Sequence, residues 1–251
     1  AGRPQEGVLA GRGRVHETEA LGHTYHRSAA DPDGLRVRPL PDMPSSFPAA
    51  GLPWVMALFG RDSLITAYQA LPFQPRLAAA TLEALAAYQA TVDDAFRDAE
   101  PGKILHELRR GELVGRGLVP HSPYYGTHDA TPLFLVLLDE YERWTGDADL
   151  VRRLEPAARA ALAWLDTSRD RDGDGFLEHQ TRSPRGLANQ CWKDSWNSIL
   201  YAVGTMSALQ RAPCAIQGYA YDTTRRAARL ARDVRTDNAP SGRLANAAAS
   251  R

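Results

Sequence analysis

Three short stretches of this chain set a carboxylate among aromatic and small residues, at the ends of alanine- and leucine-rich runs. They are Phe59-Gly60-Arg61-Asp62-Ser63, Tyr124-Tyr125-Gly126-Thr127-His128-Asp129 and Trp192-Lys193-Asp194-Ser195-Trp196. Flat apolar rings beside ionisable oxygens suit a saccharide, whose ring faces stack on aromatics while its hydroxyls take hydrogen bonds. In Arg61-Asp62 a planar donor fork sits beside an acceptor that can hold two neighbouring hydroxyls. Asp194 lies between Trp192, Lys193 and Trp196. Desolvation by two indoles would favour its protonated form, whereas an inward Lys193 would oppose that. A carboxyl kept protonated near neutrality can deliver a proton to a departing glycosidic oxygen.

Each stretch also has a plainer reading. Arg61-Asp62 can be an ion pair at a helix start, while Asp129 and Asp194 can be helix N-caps. His106-Glu107 can be a solvated loop pair. Asp170-Arg171-Asp172-Gly173-Asp174-Gly175 resembles the start of a calcium loop, but Thr181 stands where the bidentate glutamate belongs. No phosphate loop, zinc helix or nucleophile elbow occurs, so no cofactor is expected.

The elements that must position these acids are helical. Expected helices cover 62–70, then a run opened by Pro75 with Leu77, Thr81, Leu82, Leu85 and Tyr88 on one face. Pro132 opens a third, apolar nearly all round, ending near Gly146. Asp147 caps a fourth, with a break or fresh start at Pro156, and helices over 195–209 and 217–234 complete the set. The turn at Asp172-Gly173-Asp174 predicts half of a small β-hairpin at 175–178. Pro39, Pro41, Pro44 and Pro48 make 1–48 an irregular arm, 49–235 the helical domain and 236–251 a frayed tail. The fold class is all-α, an incomplete toroid with a small β-hairpin. About seven helices give half of a double ring of twelve. Thirty basic and thirty acidic residues cancel, and no apolar run reaches membrane length. Nucleic acid and membrane are therefore not the expected partners. Cys191 and Cys214 are too few for a disulfide scaffold, so a cytoplasmic setting is the default expectation.

These stretches, with Ala49-Ala50-Gly51-Leu52-Pro53-Trp54, Pro101-Gly102-Lys103-Ile104-Leu105-His106-Glu107, the continuation Ala130-Thr131-Pro132-Leu133-Phe134 and Asn189-Gln190-Cys191, resemble the bacterial amylo-α-1,6-glucosidase-like proteins. Those are glycogen-debranching-like members of the six-hairpin, or (α/α)6-barrel, glycosidases. The resemblance covers about residues 28 to 235. It implies an inverting hydrolase of α-linked glucose, with an oligosaccharide or glucoside as substrate. It implies further that Arg61 and Asp62 hold the non-reducing sugar and that Asp194 is the general acid. Trp54, His106, Glu107, Tyr125, Asp129, Trp192, Lys193 and Trp196 would line the cleft.

The chain departs from that pattern at Cys191, where glycine is expected, and at Asn197, where aspartate is usual. Residues 206–215 look scrambled against it, and no β-rich domain precedes the helices. An inverting reaction needs a second carboxylate about 6.5–9.5 Å from the acid. Relatives supply it from later helices, so the expectation is a sugar-holding half-site whose unpartnered apolar faces promote self-association. Two other readings compete: a non-catalytic carbohydrate-binding module, and a helical scaffold whose acids do not converge.

Overall fold

A computed structural model describes residues 19–38, 46–168, 170, 172–208 and 210–233. His16, Pro39, Pro41, Pro44 and the tail expected over 236–251 lie outside the described residues. The described chain is mostly α-helical, with two small two-stranded sheets. It divides into a unit ending at Gly34 and a second beginning at Leu35.

The first unit contains helix α1 (Glu19–Gly34). It corrects the expectation of an irregular arm through residue 48. The prolines that argued against helix cluster from 39 onward, while Pro32 falls in the last turn of α1, beyond most of its hydrogen-bond ladder. Arg27 and Asp31 pair one turn apart on its exposed face, at 3.0 Å.

The second unit is organised around α5 (Ala130–Thr145), which packs against α2 (Gly60–Ala70), α3 (Pro75–Ala87), α6 (Ala148–Ser168) and α7 (Cys214–Asp233). A short turn of helix, α4, covers Glu112–Gly115. Being apolar on almost every side, α5 can be covered by neighbours all round. Leu64, Leu82, Leu85, Phe134, Leu138 and Trp164 form one continuous core with Ile104 and Leu105 of the intervening loop.

Local rules set most boundaries. Pro75 occupies the first turn of α3, and Gly146 ends α5 in a left-handed conformation with φ 71°. Asp147 Oδ1 accepts from the Leu150 amide at 3.0 Å, capping α6 as expected. Pro156 does not break α6. An internal proline costs about 3 kcal/mol, and burial of Leu150, Leu154, Trp164 and Leu165 along one stripe, each worth about 1.5–3 kcal/mol, outweighs it.

Two expected elements are absent. Residues 195–209 form turns and an isolated bridge between Leu200 and Met206, not a helix, in their described part. The Ser195 carbonyl, which should accept the next helical bond, takes Asn189 Nδ2 at 2.6 Å and Ser198 Oγ at 2.7 Å. Gly204, at φ 81°, then turns the chain back. Residues 175–178 make no hairpin either, since the Leu177 amide donates to the Gln217 side chain. The short sheets lie elsewhere. Strand β1 (Arg36–Val37) pairs antiparallel with β2 (Phe47–Pro48), and β3 (Leu58–Phe59) pairs antiparallel with β4 (Glu107–Leu108).

Charged groups join α5 to α7. Asp139, fully buried, takes Arg226 Nη1 at 2.8 Å and Arg229 Nε at 2.6 Å, and Glu140 and Glu142 take further bonds from the same guanidiniums. Between α6 and α7 an apolar groove over α5 is lined by Leu135, Leu138, Val151, Leu162 and Leu230.

Candidate functional site

Antiparallel pairing of β3 with β4 delivers the chain into α2, so Arg61 and Asp62 fall in that helix's first turn. Gly60 is required at the entry, because a Cβ there would lie 2.1 Å from the Leu105 carbonyl oxygen. Arg61 then reaches two acids far away in sequence. Its Nη1 donates to Asp129 Oδ2 at 3.0 Å and its Nη2 to Asp194 Oδ2 at 2.8 Å. The guanidinium thus joins the α2 start, the loop before α5 and the tryptophan-rich loop. A scaffold with scattered acids is not what is observed.

The two carboxylates differ in surroundings. Asp129 is 0% exposed, and Thr127 Oγ1 donates to its second oxygen at 2.5 Å. It stands at the N-cap position of α5 but makes no capping bond, so the expected cap is corrected to an ion-pair role. The Asp194 side chain is 35% exposed, and its Oδ1 accepts from no described side chain. No helix follows it, which removes the N-cap reading. Burial alone would weaken the hold of Arg61 on its proton. The Asp129 charge and hydrogen bonds from both carboxylates outweigh that and hold the guanidinium still more firmly charged.

Trp192 and Trp196, 54% and 67% exposed, flank Asp194 without burying it. The expected desolvation by two indoles is therefore not found. Lys193 is also exposed, with its ammonium 5.4 Å over the Trp192 ring, so it does not point inward. Asp62 is half-buried, and its carboxylate accepts from no described side chain.

Other expected lining residues lie beneath this rim. Tyr125 is buried and donates its hydroxyl to the Tyr88 carbonyl at 2.8 Å, and burial pushes its pKa up to about 12. His106 is buried between Phe59 and Tyr124. Burial lowers its pKa, opposed by the neighbouring Glu107 charge and assisted by Arg61. Glu107 takes Arg109 Nε at 2.5 Å and contacts His121 Nδ1 with its other oxygen. Burial acts to raise its pKa, but the His121 bond, the His106 charge and the Arg109 bond carry it below the usual value. These three side chains are buried, and no hydrogen bond joins them to Arg61, Asp129 or Asp194 among the described residues. The expected solvated pair His106-Glu107 is corrected in the same way. Trp54, 87% exposed, borders a different cleft with Arg38, Arg109 and Arg110.

Sequence reading missed the residue that anchors the Asp194 loop. Asp98, buried and in a left-handed conformation at φ 50°, accepts five hydrogen bonds at its carboxylate. Its Oδ2 takes the Tyr124 hydroxyl, Thr181 Oγ1 and Gln190 Nε2, while its Oδ1 takes the amides of Arg182 and Ser183. Gly186 packs against this hub, where a Cβ would sit 2.5 Å from the Tyr124 hydroxyl oxygen. A second brace runs from the buried Arg211 guanidinium to Asn189 Oδ1, and from Asn189 Nδ2 to the Ser195 carbonyl. The signal available was a lone Asp-Ala in a polar loop, which has no distinguishing pattern.

Asp170, Asp172 and Asp174 bring one oxygen each within 4.8 Å of one another at the surface. They cap their own loop, with Asp170 accepting from the amides of Gly173 and Gly175. Thr181, twelfth in that loop, is tied to Asp98 and not to the acids. Cys191 is buried and Cys214 exposed, both as free thiols. No helix among the described residues is long and apolar enough to cross a membrane.

No protein-family model matches the chain, and no curated protein matches it.

Proposed function

We propose that the chain recognises an α-linked glucoside at the Arg61–Asp129–Asp194 cluster and that it is a glycoside hydrolase of the six-hairpin toroid type. One observation carries the reading: Arg61 gathers acids 68 and 133 residues away in sequence into one ion-paired site, and exposed indoles stand two residues to either side of Asp194 in the chain. Asp129 fixes the guanidinium. The open oxygens of Asp62 and Asp194 accept sugar hydroxyls, and Trp192 and Trp196 supply flat faces for the rings. For catalysis Asp194, ion-paired to Arg61 as a carboxylate, must first take a proton at Oδ1 from solvent, which it then gives to the glycosidic oxygen as the bond to the anomeric carbon breaks. Water adds to that carbon from the opposite face and releases its extra proton to solvent, which balances the proton Asp194 delivered.

A second reading, binding without turnover, is favoured by the occupancy of the other acids. Asp129 has its two oxygens on Arg61 and Thr127, and Glu107 has its two on Arg109 and His121. Each of these oxygens is already engaged by a cation or a hydroxyl, which lowers its basicity toward a nucleophilic water. Calorimetric titration with maltotriose and isomaltotriose beside a reducing-sugar assay separates the two. Binding with release that Asp194→Asn abolishes supports the hydrolase, and binding without release supports the module. Absence of saturable binding to either sugar refutes both.

A further inference from the structure

A second concavity in the larger unit is not used by this reading. It is a cleft of about 380 Å³ whose lining comes from β1 and β2, the turn before β3, and the residues after β4. Three of the described lining residues are arginines, Arg38, Arg109 and Arg110, and none of the described lining residues is acidic. The chain as a whole carries equal numbers of acidic and basic residues, so this concentration is local. The remaining walls are largely apolar, with Phe47, Met56 and the Trp54 indole, which is 87% exposed.

We infer that this cleft binds a monosaccharide-sized anion: a carboxylate or phosphate held by the arginines, on a ring that lies against Trp54. The chemistry of the walls selects such a ligand. Guanidinium forks bind carboxylate and phosphate oxygens in pairs, and a flat indole face accepts a ring. Arg109 is already in place for this. Glu107 holds its Nε at 2.5 Å and its guanidinium lies 5.5 Å over the Phe59 ring, so little side-chain freedom remains to be lost on binding. The volume falls in the lower range of small-molecule sites, about 300–1,000 Å³. Arg38 and Trp54 are exposed in the described chain and stand ready to contact a solute. The proposal goes beyond the glycosidase reading and does not require Asp194 to transfer a proton.

The test is calorimetric titration of the full chain with glucose 6-phosphate, glucuronate, glucose and inorganic phosphate. Glucose 6-phosphate or glucuronate is expected to bind at least about tenfold more tightly than glucose, with affinity falling as salt rises. Saturation by only one of them identifies the anionic group. Arg38→Ala is expected to weaken the anionic sugar about tenfold and Trp54→Ala by a similar factor. Maltotriose binding at the Arg61 cluster should be unchanged in Arg38→Ala, which separates this proposal from the previous one. Glucose binding as well as its phosphate would overturn the proposal, as would inorganic phosphate matching glucose 6-phosphate. Unchanged anion affinity in both variants, or equal loss of maltotriose affinity in Arg38→Ala, would also overturn it.

Discussion

Replacing Arg61 by alanine tests how the site is held together. The substitution removes two charge-assisted hydrogen bonds, at 3.0 Å to Asp129 and 2.8 Å to Asp194, but the two acids left behind are not equivalent. Asp194 is about one-third exposed and rehydrates, so its share is at most about 1 kcal/mol. Asp129 is fully buried and keeps only Thr127 as a donor. An uncompensated buried carboxylate costs about 3–5 kcal/mol. Arg61→Ala should therefore lose about 4 kcal/mol, and Asp194→Ala at most about 1 kcal/mol. With a urea dependence of about 2 kcal/mol per molar, the first shifts the unfolding midpoint by about 2 M and the second by less than about 0.5 M. Adding Asp129→Asn to Arg61→Ala removes the stranded charge and should recover about 1–3 kcal/mol. Urea unfolding followed by far-UV circular dichroism reads all four proteins. A loss below about 1 kcal/mol in Arg61→Ala, or a double variant less stable than Arg61→Ala alone, would refute the argument.

Gly186→Ala places a Cβ 2.5 Å from the Tyr124 hydroxyl oxygen and 2.6 Å from Asp98 Oδ2, so it should destabilise by at least about 2 kcal/mol and weaken saccharide binding. Unchanged unfolding would show that the hub yields freely. His179 is buried, and burial first, then Arg211 and Lys103, lowers its pKa to about 4. The unfolded chain takes up its proton near pH 6.5, so this stabilisation is complete above that pH and declines as pH falls toward 4. About 2 kcal/mol should be gone by pH 5, with His106 acting in the same direction. A pH-insensitive urea midpoint between pH 7.5 and 5, or an unaltered pH slope in His179→Phe, would contradict this. Asp139→Ala strips Arg226 and Arg229 of their common buried partner and should cost about 3 kcal/mol, measured by thermal unfolding.

Sequence legibility followed the range of the interaction. The helices at 60–70, 75–87 and 130–145 follow from apolar periodicity and from Pro75 and Gly146, all contained within a turn or two of chain. The helix expected at 195–209 failed because side chains outside that segment compete for its carbonyls. Asn189 takes the Ser195 oxygen, and Arg211 in turn holds Asn189. Pro156 misled for a related reason, since a local penalty was outweighed by burial against distant elements.

The same division runs through the site. Residue type and spacing were enough to single out Arg61, Asp62, Asp129 and Asp194, because an acid beside indoles or at a helix start is unusual wherever it falls. Which of those acids is buried and which is open was decided only when β3, the α5 entrance and the 189–198 loop met. Burial depends on what arrives from elsewhere in the chain, and Asp98, with five donors to its carboxylate from three separate segments, shows no local sign of that position. Short-range pattern determined the helices and the reactive groups, and tertiary closure determined the charge environment in which each group works.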